Sequence, residues 1–294
     1  MISKGQQSTD EVARTLYIGV GAVKVLAVNP NKATLEKIYG RTMDKDPVYL
    51  GEVDVNGEKV KNVRISFVVQ TDAAKNNGIE FVSNHTFFLQ KKYRQGSKSG
   101  KYQIIDKYGR TGWATKEEIQ AKTVPVYANG PANIDADYRP CYVGEEELTA
   151  FVKNYLNIPN LLSYVNNTWV PNPKVKPEDC ESRLDHIEDY FKGNFKELEE
   201  LIAFQPENNV KIAFGVRTTD DNKQYQTTYT QMSLKNGVSD YSKLDADIQE
   251  RKAAGAFATT EFEVGLLHEY NVTPTTFIAD TANTTEQKEE ELPW

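Results

Sequence analysis

An Asn-Gly pair at positions 56 and 57 stands between two segments rich in β-branched residues, and it constrains the fold more than any other feature. Asn-Gly is the pair that a two-residue hairpin turn prefers, because both central residues of that turn need positive φ angles. The segment before it reads VYLGEVDV and the segment after it reads EKVKNVRISFVVQT. Two antiparallel strands are therefore predicted around positions 56 and 57, and the second is apolar enough to lie in a core.

More segments of the same kind surround this hairpin. LYIGVGAVKVLAVNP, at 16–30, predicts a strand that bends at its glycines and ends at Asn-Pro. GIEFVSNHTFFLQKKYR and KYQIIDKYGRTGWAT, at 78–94 and 101–115, predict a strand pair with a flexible basic tip. About five strands within about 115 residues indicate a small barrel or sandwich.

The second half of the chain mixes helices with strands. Residues 144–158, GEEELTAFVKNYLNI, have an acidic first turn and one apolar face, which is typical of a helix. A second helical segment over 180–204 is expected to break near Gly193, and a third covers 241–257. Strands are expected to return between 208 and 234, and a last one over 259–275.

The predicted fold class is a β-rich α+β protein. It consists of an OB-type Greek-key barrel with helical insertions and a disordered acidic C-terminal tail. We expect an N-terminal arm at 1–15, a nucleic-acid-binding core at 16–278 with a helical insertion at about 140–205, and the tail at 279–294. The tail composition is polar and acidic, which does not favour a packed structure.

Residues 87–113 gather positive charge and aromatic rings within an acidic chain. They contain five lysines, two arginines, one aspartate and six aromatic residues, whereas the whole chain has a net charge of −7. Lysine and arginine neutralise phosphates, and aromatic rings stack on the bases of a single strand. Phe87, Phe88 and Leu89 are assigned to the core. The predicted nucleic-acid-binding residues are Lys91, Lys92, Tyr93, Arg94, Lys98, Lys101, Tyr102, Lys107, Tyr108, Arg110 and Trp113.

The C-terminus adds a second unusual pattern. A run of glutamates is followed by an aromatic residue with the terminal carboxylate. Such a segment can compete with nucleic acid for a basic groove, and its last ring can enter an apolar pocket of a partner. The predicted partner-binding tail consists of Glu289, Glu290, Glu291, Leu292, Pro293 and Trp294.

Other motifs are sparse. The two cysteines and three histidines are scattered, so no metal site and no cofactor are expected. No apolar run approaches the roughly 18 residues of a membrane-spanning helix, and the N-terminus lacks the apolar centre of a signal peptide. We therefore expect no membrane partner and a cytoplasmic location. Nucleotide-binding and hydrolase motifs are also missing, so no catalytic residues are assigned.

The basic stretch at 91–113 and the tail at 289–294 together resemble a phage-type single-stranded DNA-binding protein. The resemblance implies an OB-type barrel with a cationic aromatic groove and an acidic tail that ends in an aromatic residue. It implies a protein that coats and protects single strands during phage DNA replication, recombination and repair, in the host cytoplasm. The tail would then recruit a polymerase, helicase or primase. Some relatives carry a zinc module of clustered Cys and His, and this chain has no such cluster.

Two other functions fit the sequence. A viral structural or assembly module would use the basic stretch to meet an acidic protein surface, and it would not bind single strands. A metal-dependent nuclease would need a carboxylate cluster, for which Asp185, Glu188 and Asp189 have helical spacing. A solvated helix face explains the same spacing.

Overall fold

The computed structural model describes residues 15–156, 162–165, 168–171, 184–204, 210–230 and 244–270, with backbone only at 162–165 and 168–171. The described part is strand-rich. Its strands are β1 (Leu16–Val28), β2 (Leu50–Val55), β3 (Glu58–Thr71), β4 (Val82–Tyr93), β5 (Tyr102–Asp106), β6 (Thr111–Ala114), β7 (Val126–Tyr127), β8 (Gly130–Pro131), β9 (Tyr138–Pro140), β10 (Tyr142–Val143), β11 (Leu162–Val165), β12 (Thr168–Pro171), β13 (Val210–Thr218), β14 (Gln224–Tyr229), β15 (Thr260–Phe262) and β16 (His268–Tyr270).

The helices of the described part are short. The longest of them supplies the predicted helix with the acidic first turn. They are α1 (Lys32–Tyr39), α2 (Lys116–Ala121), α3 (Glu145–Tyr155), α4 (Ile187–Tyr190), α5 (Lys196–Phe204) and α6 (Leu244–Ala253).

The main sheet is an antiparallel half-barrel with the strand order β10-β4-β3-β1-β13-β14. Strand β1 is the centre of this sheet: residues 19–23 pair with β13, and residues 23–28 pair with β3. The register shifts between Val25 and Ala27, where a bulge bends the strand. Since one long strand pairs with different neighbours along its length, the sheet curls. This confirms a β-rich α+β fold.

The hairpin predicted at Asn56 and Gly57 is confirmed. Strands β2 and β3 pair from Leu50 with Val63 to Val55 with Glu58. Asn56 and Gly57 have φ angles of 58° and 84°, as the turn requires. The Asp54 carboxylate also accepts a hydrogen bond from the Gly57 N–H at 2.7 Å, which fixes the turn.

The prediction that 78–94 and 101–115 form one strand pair is wrong except at the turn that connects them. The tip forms a tight turn, in which Gly96 N–H donates to the Lys101 carbonyl. The two strands then separate: β4 pairs with β3 and β10, whereas β5 joins a three-stranded sheet in the order β6-β5-β9. The last direct link between the two segments is the Gln103 N–H, which donates to the Arg94 carbonyl at 2.8 Å. Cys141 bridges the same two residues, since the Arg94 N–H donates to its carbonyl and its own N–H donates to the Gln103 carbonyl. The last predicted strand, over 259–275, is also different, because β15 and β16 are two separate short strands.

The core lies between the inner face of the half-barrel and helices α3, α4 and α5. Phe67 of β3 and Phe87 of β4 both contact Phe151 of α3, with ring centroids 4.8 and 5.3 Å apart. Phe87 and Leu89 are buried, as predicted. The predicted break near Gly193 is confirmed, because Gly193 has a φ of 85° and lies between α4 and α5.

His85 lies at the seam where β4 approaches β14. Its Nδ1 is 3.0 Å from the Thr228 hydroxyl, and its ring contacts Phe87 and Phe151. Thr228 also donates to the Asn84 carbonyl at 3.2 Å. Complete burial lowers the pKa of His85 to about 3. The imidazole is therefore neutral in the folded protein, because a buried charge without a counter-ion is costly.

His85 should make the protein acid-sensitive. The unfolded chain binds a proton at this residue below about pH 6.5 and the folded protein does not, so stability falls as pH drops through the window from 6.5 to 3. One shifted pKa unit is about 1.4 kcal/mol, which gives a loss of about 2 kcal/mol between pH 6.5 and 5. We expect His85→Gln to flatten this part of the stability curve, measured by urea unfolding at each pH. The same change at the exposed His186 should leave the curve as in the wild type; equal curves for all three proteins would contradict the assignment.

The arm at 1–14, Cys180 and the tail beyond 270 lie outside the described residues. Within the described part, no helix is long and apolar enough to cross a membrane.

Candidate nucleic-acid interface

The basic aromatic stretch lies where the two sheets meet. Residues 91–93 end β4, residues 95–101 form the tight turn, and the remainder belongs to β5, β6 and the turn between them. That second turn is held by the buried Asp106 carboxylate, which accepts hydrogen bonds from the N–H groups of Tyr108 and Arg110. The structure therefore brings most of the predicted residues onto neighbouring segments.

Carboxylates of the described residues neutralise part of the positive charge that the sequence predicts for this stretch. Lys91 contacts Glu188 at 2.9 Å, Arg94 contacts Glu146 at 3.1 Å, and Arg110 contacts Asp106 at 2.7 Å. The Tyr142 hydroxyl and Lys91 together lower the pKa of Glu188, so this carboxylate stays charged. The positive charge of the stretch is therefore smaller than its sequence indicates.

Glu146, in the first turn of α3, connects the elements that carry the stretch. Its carboxylate accepts hydrogen bonds from Arg94, from the Gln103 amide at 2.6 Å and from the Thr111 hydroxyl at 3.2 Å. The adjacent Glu145 is buried and pairs with Arg139 of β9 at 2.5 Å. The acidic first turn, predicted as a favourable helix start, thus joins α3 to both sheets.

Lys92, Lys98 and Lys101 are the predicted cations that form no ion pair within the described part of the chain. Lys98 is exposed at the tip, and Lys92 and Lys101 are half-buried. Lys107 lies 5.1 Å from the centre of the Tyr108 ring, with Arg110 at 5.0 Å from the same centre. The three unpaired lysines are the charges that a phosphate would meet without displacing a carboxylate.

The four predicted stacking rings differ in their surroundings. Tyr93 already stacks on Tyr142, with centroids 4.9 Å apart. The Trp113 ring packs against Gly96, where a Cβ would lie 3.3 Å from it. The Tyr108 ring is flanked by cations, and Tyr102 is half-buried beside the tip. Tyr93 and Trp113 therefore each have one side occupied by the protein itself.

A groove of about 1190 Å³, which the sequence did not reveal, crosses the outer face of β3 and β4. Its floor carries small neutral polar side chains, and its walls come from the loop at 39–49 on one side and from β1 and β14 on the other. Aromatic rings stand on both walls. The floor includes Ser66, Ser83, Asn84 and Thr86, and the rings belong to Tyr17, Tyr39, Tyr49, Phe81 and Tyr225.

The groove has a small excess of positive charge. Its cations are Arg41, Lys45 and Arg64, against two carboxylates, Asp44 and Asp46. The Tyr17 ring stacks on Phe81 at 4.2 Å, which fixes one wall. Tyr225, on the same side, leaves 52% of its surface exposed.

Arg64 projects from the centre of β3 into this groove. Its guanidinium carbon lies 5.4 Å from the centre of the Tyr49 ring, and its Nε is buried and finds no hydrogen-bond partner among the described residues. The Tyr49 hydroxyl donates to the Pro30 carbonyl at 2.8 Å, and burial raises the pKa of Tyr49 to about 12. Tyr49 therefore remains neutral and holds Arg64 in place. The Arg64 guanidinium is therefore a fixed positive charge in the lining of the groove.

The prediction that Phe88 lies in the core is wrong. It was assigned to the core, but 45% of its surface is exposed, on the same outer face as Thr86. Strict alternation along β4 buries His85, Phe87 and Leu89 and turns Phe88 outward. The sequence signal was available, because Phe88 shares its parity with Lys92.

The carboxylates considered for a nuclease have other partners. Glu188 contacts Lys91 and the Tyr142 hydroxyl, and Asp189 contacts Lys192 at 2.7 Å. Across the residues that the structure describes, no three His, Cys, Asp or Glu side chains come together as a metal site would require. The only cysteine described, Cys141, is buried, and burial raises the pKa of its thiol.

The chain matches no protein-family model, no curated protein and no solved structure. Its function is therefore inferred from the groove and from the basic aromatic stretch. The tail at 289–294 lies outside the described residues and stays a prediction.

Proposed function

We propose that this protein binds single-stranded DNA without sequence preference, and that it coats and protects single strands during phage DNA replication, recombination and repair. The observation that carries the proposal is the groove over β3 and β4, where aromatic rings stand on both walls, Arg41 and Lys45 lie on one wall, and Arg64 rises from a floor of small neutral polar side chains. Single strands offer phosphates and exposed base faces, and proteins that bind them combine a cationic groove with stacking rings.

The strand order supports an OB-type barrel. In a Greek key, three consecutive antiparallel neighbours are joined by a fourth strand that returns beside the first, which gives the spatial order 4-1-2-3. Strands β13, β1, β3 and β4 have this order, with β2 as an excursion at the edge of β3. OB-type barrels bind oligonucleotides on the face of their second and third strands, between flanking loops. In the barrel proposed here, β3 and β4 would be those two strands, and they form the groove floor.

The groove chemistry favours binding without sequence readout. Stacking contributes roughly 1–3 kcal/mol per base and accepts every base, because every base has an aromatic face. Tyr225 is the most exposed ring of the groove, and Arg64 is its most central cation. The acidic net charge of −7 does not oppose binding, since the local field at the groove decides the encounter.

The same proposal gives the tail a recruiting role. Its glutamates and Trp294 would dock a replication protein, such as a polymerase, helicase or primase, in an apolar pocket with a basic rim. We expect Trp294→Ala to keep its affinity for oligo-dT and to lose such a partner in a pull-down from infected cells. Retention of every partner would reduce the tail to a solubilising segment.

The unpaired lysines provide a direct test of the binding surface. Changing Lys92, Lys98 and Lys101 to alanine should remove up to three phosphate contacts. On a single strand each contact adds about 0.7 to the slope of log K against log salt, so the slope should fall by about 2. Fluorescence anisotropy of labelled oligo-dT across a salt series measures it.

A matched triple variant controls for net charge. Lys59, Lys61 and Lys211 are exposed lysines on β3 and β13 that do not line the groove, and their change to alanine removes the same charge. Their loss should leave the slope within about 0.5 of the wild type. Equal slopes for the two triple variants would show that the basic stretch is not part of the binding surface.

A further inference from the structure

Phe88 is an exposed aromatic side chain on a rigid strand. Its backbone is held on both sides, because β4 pairs with β3 at Arg64 and because α3 begins against the Phe88 carbonyl. The groove ends next to it, since Thr86, two residues earlier on the same face, is a lining residue. Strand alternation turns this ring outward, which places an exposed aromatic face directly beside the end of the groove.

Arg64 is the direct cross-strand neighbour of Phe88. Opposite residues of an antiparallel pair have Cβ atoms about 5 Å apart, so the cation and the ring form one surface. Tyr49, the residue immediately before β2, continues this surface, and its carbonyl accepts a hydrogen bond from the Arg64 N–H at 2.8 Å. A ring, a guanidinium and a second ring thus form a row across three adjacent segments of the sheet.

The row extends the groove toward the basic stretch, because Tyr49 and Arg64 line the groove and Phe88 lies just beyond it. Lys92 follows Phe88 by four residues on β4, which corresponds to about 13 Å along the strand. Gln90, between them, is half-buried and neutral. A chain of phosphates that leaves the groove over Phe88 therefore meets no carboxylate on the outer face of β4 before it reaches the first unpaired lysine.

We propose that the groove and the basic stretch form one continuous path for a single strand, with Phe88 stacking a base at the junction and Arg64 holding the adjacent phosphate. This inference rests on the proposed function and adds the route of the strand. Arg64 lines the groove and supplies its guanidinium charge to the phosphate, while Tyr49 keeps the guanidinium in position. Phe88 is thereby a binding residue that sequence analysis assigned to the core.

The test is the length dependence of binding. Oligo-dT of about 4 to about 16 nucleotides covers the range of site sizes of one OB-type barrel. Wild-type affinity should rise until the oligonucleotide spans both the groove and Lys92. In Phe88→Ala, the shortest oligonucleotides should bind as they do to the wild type, and the longer ones should bind about tenfold more weakly, which is the loss of one stacked base.

Phe204→Ala is the matched control, since this exposed phenylalanine lies on α5, away from the path. It should bind every length like the wild type. If Phe88→Ala also matches the wild type at every length, the continuous path is wrong while single-strand binding stands. If stoichiometric titration finds two short strands bound independently to one chain, the groove and the basic stretch are separate sites, and the path is again wrong. If the wild type binds no oligonucleotide of any length, the proposed function fails with it.

Discussion

Arg64→Glu is expected to weaken binding of oligo-dT by two to three orders of magnitude. The substitution removes the central cation of the groove and places a carboxylate where a phosphate should lie. Truncating a charge that is held in a desolvated contact costs about 2–5 kcal/mol, and reversal adds repulsion. Arg64→Lys should have an intermediate effect, because an ammonium keeps the charge but loses the planar stacking on Tyr49. Fluorescence anisotropy at one fixed, low salt concentration measures the affinity of all three proteins for oligo-dT.

Lys211→Glu provides the control for this result. Lys211 is exposed on β13, it does not line the groove, and its reversal changes the net charge by the same amount. Its affinity should stay within about threefold of the wild type, as expected for a charge outside the contact surface. Thermal unfolding of both variants separates a binding defect from a folding defect. Equal losses of affinity in the two variants would show that Arg64 has no special place in binding.

Gly144→Ala is expected to destabilise the protein by about 4 kcal/mol. A Cβ at this position would lie 2.0 Å from the Phe88 carbonyl oxygen, and Gly144 has a φ of 86°. The left-handed conformation costs about 1–2 kcal/mol for a residue with a Cβ, and overpacking adds about 1–3 kcal/mol. Gly144 immediately precedes α3, which contributes Phe151 to the core and Glu146 to the basic stretch. Urea unfolding at pH 7 measures the change.

Gly57→Ala separates the two causes. Gly57 has nearly the same φ, 84°, but no atom lies within 4 Å of the position that a Cβ would occupy there. Gly57→Ala should lower the free energy of unfolding only by the cost of the left-handed backbone conformation, about 1–2 kcal/mol. If the two alanine variants were equally stable, the contact between Gly144 and Phe88 would not restrict the start of α3.

Local signals predicted local structure well. Asn56-Gly57 predicted its hairpin because both positive φ angles are decided within the turn itself. The broken helix at Gly193 and the buried Phe87 and Leu89 followed in the same way from glycine and from strand periodicity. Phe88 was misassigned because three consecutive apolar residues were treated as one core segment, although alternation separates the middle one from its neighbours.

The groove could not be predicted from the same patterns. Its rings and cations come from positions as far apart as Tyr17, Arg64 and Tyr225, and only the strand order brings them together. The ion pairs of the basic stretch could not be predicted for the same reason. Glu146 and Glu188 neutralise Arg94 and Lys91 across 52 and 97 positions of the chain, and no local window contains both partners.

Fluorescence anisotropy of labelled oligo-dT with the purified 294-residue chain decides whether this protein binds single strands. It is repeated across a salt series and with a duplex of equal length. We expect tight binding to the single strand, a steep loss of affinity with salt, and much weaker binding to the duplex. Absence of binding to oligo-dT at low salt, both in this chain and in a variant without residues 286–294, would contradict single-strand binding. The basic aromatic stretch would then be a docking surface for an acidic protein.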